Sequence, residues 1–230
     1  GIDRNVIVWN TETGQSTSFT PAHLGALHRL AFSPDGKRLV SAGADRVLRV
    51  WDMESQTREF ELIGHSAAVI SLRFSNDCKW LASGGVDGSV ILWDWTTRTM
   101  VHQLDGHLSH VFALAFDPTG QSLYTGSRDR TIRVWSTANG QQLNVLSGHG
   151  QLIRSLDIHP GGSRLVAGSW FGDILIWDLN RHDLVTSFKG HADIVFELQF
   201  SPDGNYFVTC SLDKTMRKFE RTVAELDVGE

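Results

Sequence analysis

The chain has 230 residues, 41% of them hydrophobic and 20% charged, which supplies a core and excludes the composition of a disordered chain. Lys and Arg total 21 against 26 Asp and Glu, a net charge of −5, which argues against a basic nucleic-acid footprint or a polybasic membrane patch. Two cysteines, Cys78 and Cys210, cannot make a disulfide framework and point to an intracellular setting, cytoplasmic or nuclear; no signal peptide opens the chain, and no apolar run approaches the roughly 20 residues of a spanning helix.

In chain order, the segments 6–9 and 16–20 read as two strands, because short apolar or alternating runs are bounded by turn residues. From His23 onward a longer pattern repeats. It is clearest after His107: 111–116 is a strand, Pro118-Thr119-Gly120 a turn, and 122–125 a second strand. A tight polar turn at 127–130, a strand at 131–135, a turn at Ala138-Asn139-Gly140 and a strand at 142–146 complete the unit. The last unit departs from this pattern, with Lys218 in a column otherwise held by Val8, Val50, Leu92, Val134 and Ile176. A less buried third strand is therefore expected there, and 223–228 is expected to supply the last outer strand. No segment shows a long 3.6-residue period that would demand a helix.

The units keep one register. Trp9, Trp51, Trp93, Trp135 and Trp177 are each 42 residues apart, with Phe219 in the sixth place. His23, His65, His107, His149 and His191 have the same spacing, and so do Ser41, Ser83, Thr125, Ala167 and Thr209. A further column reads Asp3, Asp45, Asp87, Asp129, Phe171 and Asp213. A period in this range signals a solenoid, an array or a propeller, and units of four short strands favour sheets packed face to face.

On these residues the sequence resembles the WD40-repeat β-propellers along its whole length. Gly106-His107, Asp129 and Trp135 stand at the family's spacing, as do Gly64-His65, Asp87 and Trp93-Asp94. The resemblance implies an all-β propeller of four-stranded antiparallel blades, here five full blades plus half a blade. Positions 1–22 would hold the outer strands of a first blade, followed by blades at about 23–64, 65–106, 107–148, 149–190 and 191–230. It also implies an internal hydrogen-bond chain within a blade. Three sets are complete: His23, Ser41, Asp45, Trp51; His65, Ser83, Asp87, Trp93; and His107, Thr125, Asp129, Trp135. With two inner strands missing from the first unit, the chain is expected to be the C-terminal part of a longer propeller. A six-bladed ring with an incomplete first blade is the alternative.

A catalytic His–Asp–Ser relay is disfavoured, because three buried copies are the opposite of one activated nucleophile. Zinc is disfavoured because the repeated His would lie in different blades, whereas one ion needs its ligands together. No phosphate-binding, nucleotide-binding or nucleophile-elbow motif occurs, so no catalytic residue, cofactor, metal or small-molecule substrate is expected.

Residues that vary at repeated positions are the candidates for function. In the family, the loops around Gly-His and around the repeated Asp emerge on one face, so positions five beyond each column His, or one before each column Asp, should ring the channel entrance. Phe112, Arg128, Arg154, Trp170 and Phe196 stand there, with Phe171 in the Asp column itself. Aromatic and Arg side chains are enriched at interface hot spots. A protein or peptide partner on this face is expected, with no membrane and no nucleic acid. RNA binding through Arg128, Arg130, Arg133 and Arg154, and a sensor propeller attached to a signalling ATPase or kinase, remain as alternatives.

Overall fold

The structure, a computed structural model, describes residues 2–19, 22–148 and 150–220, and every described element is a β-strand or a turn. The expected strand at 223–228 and the column residue His149 lie outside the described residues.

The leading hairpin pairs β1 (Val6–Trp9) with β2 (Ser16–Phe19). Then come four four-stranded antiparallel sheets, each a meander in chain order. The first blade is β3 (Leu27–Phe32), β4 (Arg38–Gly43), β5 (Val47–Asp52) and β6 (Thr57–Ile63). The second is β7 (Val69–Phe74), β8 (Trp80–Gly85), β9 (Val90–Asp94) and β10 (Thr99–Leu104). The third is β11 (Val111–Phe116), β12 (Ser122–Ser127), β13 (Ile132–Ser136) and β14 (Gln142–Leu146). The fourth is β15 (Ile153–Ile158), β16 (Arg164–Ser169), β17 (Asp173–Asp178) and β18 (Asp183–Lys189). The fifth shows β19 (Val195–Phe200), β20 (Tyr206–Ser211) and β21 (Met216–Glu220).

Meanders form because polar turns return each short apolar run beside the last. The two middle strands of an interior blade are buried on both faces, as β12 and β13 are, whereas the outer strand β14 is half exposed. Successive blades therefore pack face to face, with β3 against β7, β7 against β11, β11 against β15 and β15 against β19. The closest approach is over glycine. A Cβ on Gly126 would lie 2.4 Å from Ile153 Cγ2 of the next blade, and one on Gly168 would lie 2.7 Å from Val195 Cγ1. Gly84 meets Val111 in the same way. A small residue in this column lets the leading Val or Ile of each inner strand seat against its neighbour.

The two ends of the array differ from its middle. Leu114 and Phe116 of β11 are buried, but their counterparts Leu30 and Phe32 of β3 are 48% and 52% exposed. At the other end Met216 is 77% exposed and β21 is exposed along most of its length, in keeping with Lys218 in its apolar column. Yet a side-chain ion pair links the inner strands of the first and fifth blades, Arg29 to Glu197 at 3.1 Å.

Candidate functional site: the blade hydrogen-bond chains and the channel face

In the first blade the Trp51 indole N–H donates to Ser41 Oγ at 2.8 Å, and Ser41 Oγ lies 2.8 Å from His23 Nε2. His23 Nδ1 is 2.8 Å from Asp45 Oδ1. An indole nitrogen only donates and a carboxylate only accepts. With Nδ1–H donating to Asp45, His23 Nε2 accepts from the Ser41 hydroxyl, and Arg49 Nη1 crowds the same Nδ1 at 2.7 Å on its way to Asp45. Burial pushes the Asp45 carboxyl up, but bonds from His23, the Leu24 amide and Arg49 outweigh it and hold its pKa down at about 2. The third blade repeats the chain: Trp135 donates to Thr125 at 2.9 Å, with Thr125–His107 and His107–Asp129 each at 2.7 Å.

The second blade differs. Trp93, Ser83 and His65 are linked at 2.8 and 2.7 Å. His65 Nδ1, however, meets Ser89 Oγ at 3.3 Å, and it is Ser89 that reaches Asp87 at 2.7 Å. Asp87 is drawn outward by the Ser66 hydroxyl at 2.8 Å, so a serine relays between histidine and carboxylate. Burial lowers the His65 pKa to about 4; it lowers that of His23 too, although Asp45 pulls the other way there. The fifth blade joins His191 to Thr209 and Asp213 at 2.6 and 2.9 Å, with Phe219 in place of the indole donor.

These chains are structural. Ser41, Ser83, Thr125 and Thr209 are buried, and each already bonds the blade's own histidine. A hydroxyl so placed fixes strand register rather than attacking a substrate. In the fourth blade Ala167 takes the hydroxyl's place, in an apolar cluster with Leu175 and Trp177. Asp173 in that blade accepts from Ser169 Oγ at 3.3 Å and lies 3.7 Å from Lys189.

Every inner strand breaks register once against its neighbour. The break leaves His28, Ile70, Phe112, Arg154 and Phe196 as the extra residues, one per blade. A bulge re-aims a side chain that the ladder would otherwise hold. Three of these residues meet: the Arg154 guanidinium lies 5.1 Å from the Phe112 ring centroid and 5.3 Å from that of Phe196. Trp170 packs against Phe112 at 5.5 Å with the rings tilted by 38°, its own amide donating to Leu152 O at 2.9 Å, and His110 flanks Phe112 at 5.7 Å. One cluster thus draws on the third, fourth and fifth blades.

Arg128 and Phe171 stand apart from that cluster. Arg128 is exposed and joins it only through its amide, which donates to His110 O at 2.9 Å. Phe171 is 54% exposed. Its amide donates to Ser169 Oγ at 3.1 Å and its carbonyl accepts from Lys189 Nζ.

Below the cluster lies a cavity of about 380 Å³ lined by Arg29, Arg73, Phe112, Arg154 and Glu197 among others. Arg73 crosses it to Asp157 at 2.8 Å, as Arg29 does to Glu197. Burial raises the Asp157 pKa against the opposing pull of Arg73.

The family description "WD domain, G-beta repeat" (WD40) matches residues 14–52, 56–94, 98–136, 140–178 and 182–220. The chain belongs to the WD40-repeat family. Among curated proteins none matches it. The WD40 sequence repeat and the blade are out of step: repeat 14–52 contains β2 of the hairpin followed by β3, β4 and β5 of the first blade. Each repeat thus carries the outer strand of one sheet and the first three strands of the next, so covalent continuity ties neighbouring blades together.

Sequence reasoning missed three features of this WD40 chain. One is the column at Val47, Ser89, Thr131, Asp173 and Thr215, where a hydroxyl bonds the column aspartate at 2.7 Å from Ser89 and 2.6 Å from Thr131 and Thr215. The 42-residue period contains that signal. A second is His110, the one titratable residue in a column otherwise of Ala26, Ala68, Leu152 and Ile194. The third is the pair of ion bridges across the channel, each joining two members of a single column.

Proposed function

We propose that this WD40 chain is a non-catalytic platform that takes a peptide or a folded protein partner on its channel-entrance face. The observation that carries this reading is the Phe112–Arg154–Trp170–Phe196 cluster, assembled from three blades at bulge and turn positions. Rigid sheets hold these side chains in place, and the types present are those that anchor interfaces. The buried hydroxyl chains explain the repeated polar residues without chemistry, which leaves the varied positions free for recognition.

The test is a double variant, Arg154→Glu with Trp170→Ala, in the full chain. Proteins captured by wild type and identified by mass spectrometry would be purified and titrated against both forms. Loss of binding with a thermal transition near that of wild type supports the platform. Undiminished binding of every captured partner rejects this face.

A further inference from the structure

The channel is lined by three arginines, and two are already answered. Arg29 pairs with Glu197 at 3.1 Å, and Arg73 with Asp157 at 2.8 Å. The third, Arg154, is clamped between the rings of Phe112 and Phe196. Its Nη1 is buried and has no acceptor among the described residues. A guanidinium held between two rings with an unanswered donor presents a preset fork to a planar anion.

Resting on the platform reading above, we propose that Arg154 is the anchor for a single carboxylate of an extended peptide, an Asp or Glu side chain inserted at the channel mouth, with a neighbouring apolar side chain of the peptide laid on Trp170. Charge arithmetic favours a monoanion. Arg29, Arg73 and Arg154 against Asp157 and Glu197 leave one positive charge. Glu197 also acts on Arg154 directly, which penalises a dianion. Burial, then the charge of Arg29, lowers the Arg154 pKa to about 10, so the group is cationic at neutral pH and gains from an anionic partner. Trp170 is half-buried on Phe112 and keeps part of its surface for the adjacent residue.

The probe is a synthetic nonapeptide library, randomised on either side of a central residue that is Glu, Gln, phosphoserine or Lys, tested on the immobilised full chain. Glu-centred peptides should bind roughly tenfold or more tightly than their Gln twins, as expected for a charge-assisted bond in a desolvated site. Arg154→Gln should erase that ratio. Arg154→Lys keeps the charge but loses the fork, and should cut the ratio at least several-fold; it serves as the test if the Gln variant does not fold by its thermal transition. An acid preference that survives in both variants overturns the proposal, as does a preference for phosphoserine over Glu. Binding of a 12-residue oligouridylate at the same face in place of the acidic peptides overturns it as well. Peptides that need Trp170 yet do not distinguish Glu from Gln overturn the carboxylate assignment alone. Peptides indifferent to both Trp170→Ala and Arg154→Gln overturn the platform reading with it.

Discussion

The third and fourth blades make the same sheet from different interiors. Their strands pair in the same register, β12 with β13 and β16 with β17 each over five residue pairs, and both inner strands carry the bulge. In the third, Trp135, Thr125, His107 and Asp129 form a continuous chain of hydrogen bonds. In the fourth, Ala167 is buried among Leu175, Trp177 and the third blade's Ile132, Val134 and Leu146, and Phe171 stands exposed where the aspartate would be. A blade therefore forms with an alanine in the hydroxyl position, so the Ser or Thr link is not needed to build the sheet. The blade with this variant interior also carries Trp170 and Phe171 on its turn, and it supplies both Arg154 and Trp170 to the cluster.

The largest effect should come from breaking the third blade's chain. Thr125→Val keeps the shape but strands the Trp135 N–H and His107 Nε2 in a buried site. Two unsatisfied groups should cost about 2–5 kcal/mol, read as a fall in the urea midpoint at constant slope. The fourth blade is already apolar at this position, so the cost measures what the chain contributes beyond packing. A loss under about 1 kcal/mol would show the two interiors to be equivalent.

Acid should expose a related difference in the second blade. His65 has a folded pKa of about 4 against an ordinary 6.5, so the unfolded chain binds its proton first. Its contribution is whole above pH 6.5 and is lost as pH falls toward 4, with a span on the order of 3 kcal/mol. Asp45, held at about 2, adds a second loss that begins only below its ordinary value near 3.8. The check is unfolding free energy measured from pH 7 down to about 2. A flat profile would remove the buried neutral histidine from the account. His65→Gln should shrink the loss in the upper window to the part due to His23, whose pKa burial also lowers, while leaving the lower window.

The smallest effect is expected at Phe171. It is 54% exposed, and its recorded partners are made by its backbone. Phe171→Ser should change stability by less than about 0.5 kcal/mol in a thermal melt. A larger loss would mean that the ring supports the fourth blade in place of the missing aspartate.

Much of the fold was legible because it is written in spacing. The tryptophan and histidine columns locate the blades, and the polar partners of the first and third blades can be named from that spacing residue by residue. Asp87 shows the limit of that reading. It stands in register with Asp45 and Asp129, but the Ser66 hydroxyl turns it outward and Ser89 takes its bond to His65. At the channel face, counting five residues past each column histidine found Phe112, Arg154 and Phe196. The reason such a count works is the bulge, which recurs in every inner strand and aims that one position alike. Arg128, one before the column aspartate, and Phe171, in that column, keep their side chains out of the cluster, whereas Trp170, at Arg128's position one blade on, joins it.

By itself, then, the sequence determined the repeat, the strands of the described blades and the hydrogen-bond partners of the first and third blades, all of which depend on distances along one unit of about 42 residues. Only the tertiary structure decided what meets across the channel. Arg29 finds Glu197 from 168 residues away and Arg73 finds Asp157 from 84. Those meetings depend on the turn accumulated as one sheet after another packs over a small residue such as Gly126, a rotation set by side-chain volumes between blades rather than by any local pattern. Arg154 is left without an acid of its own to bond by the same packing, since Glu197 and Asp157 are already bonded to Arg29 and Arg73.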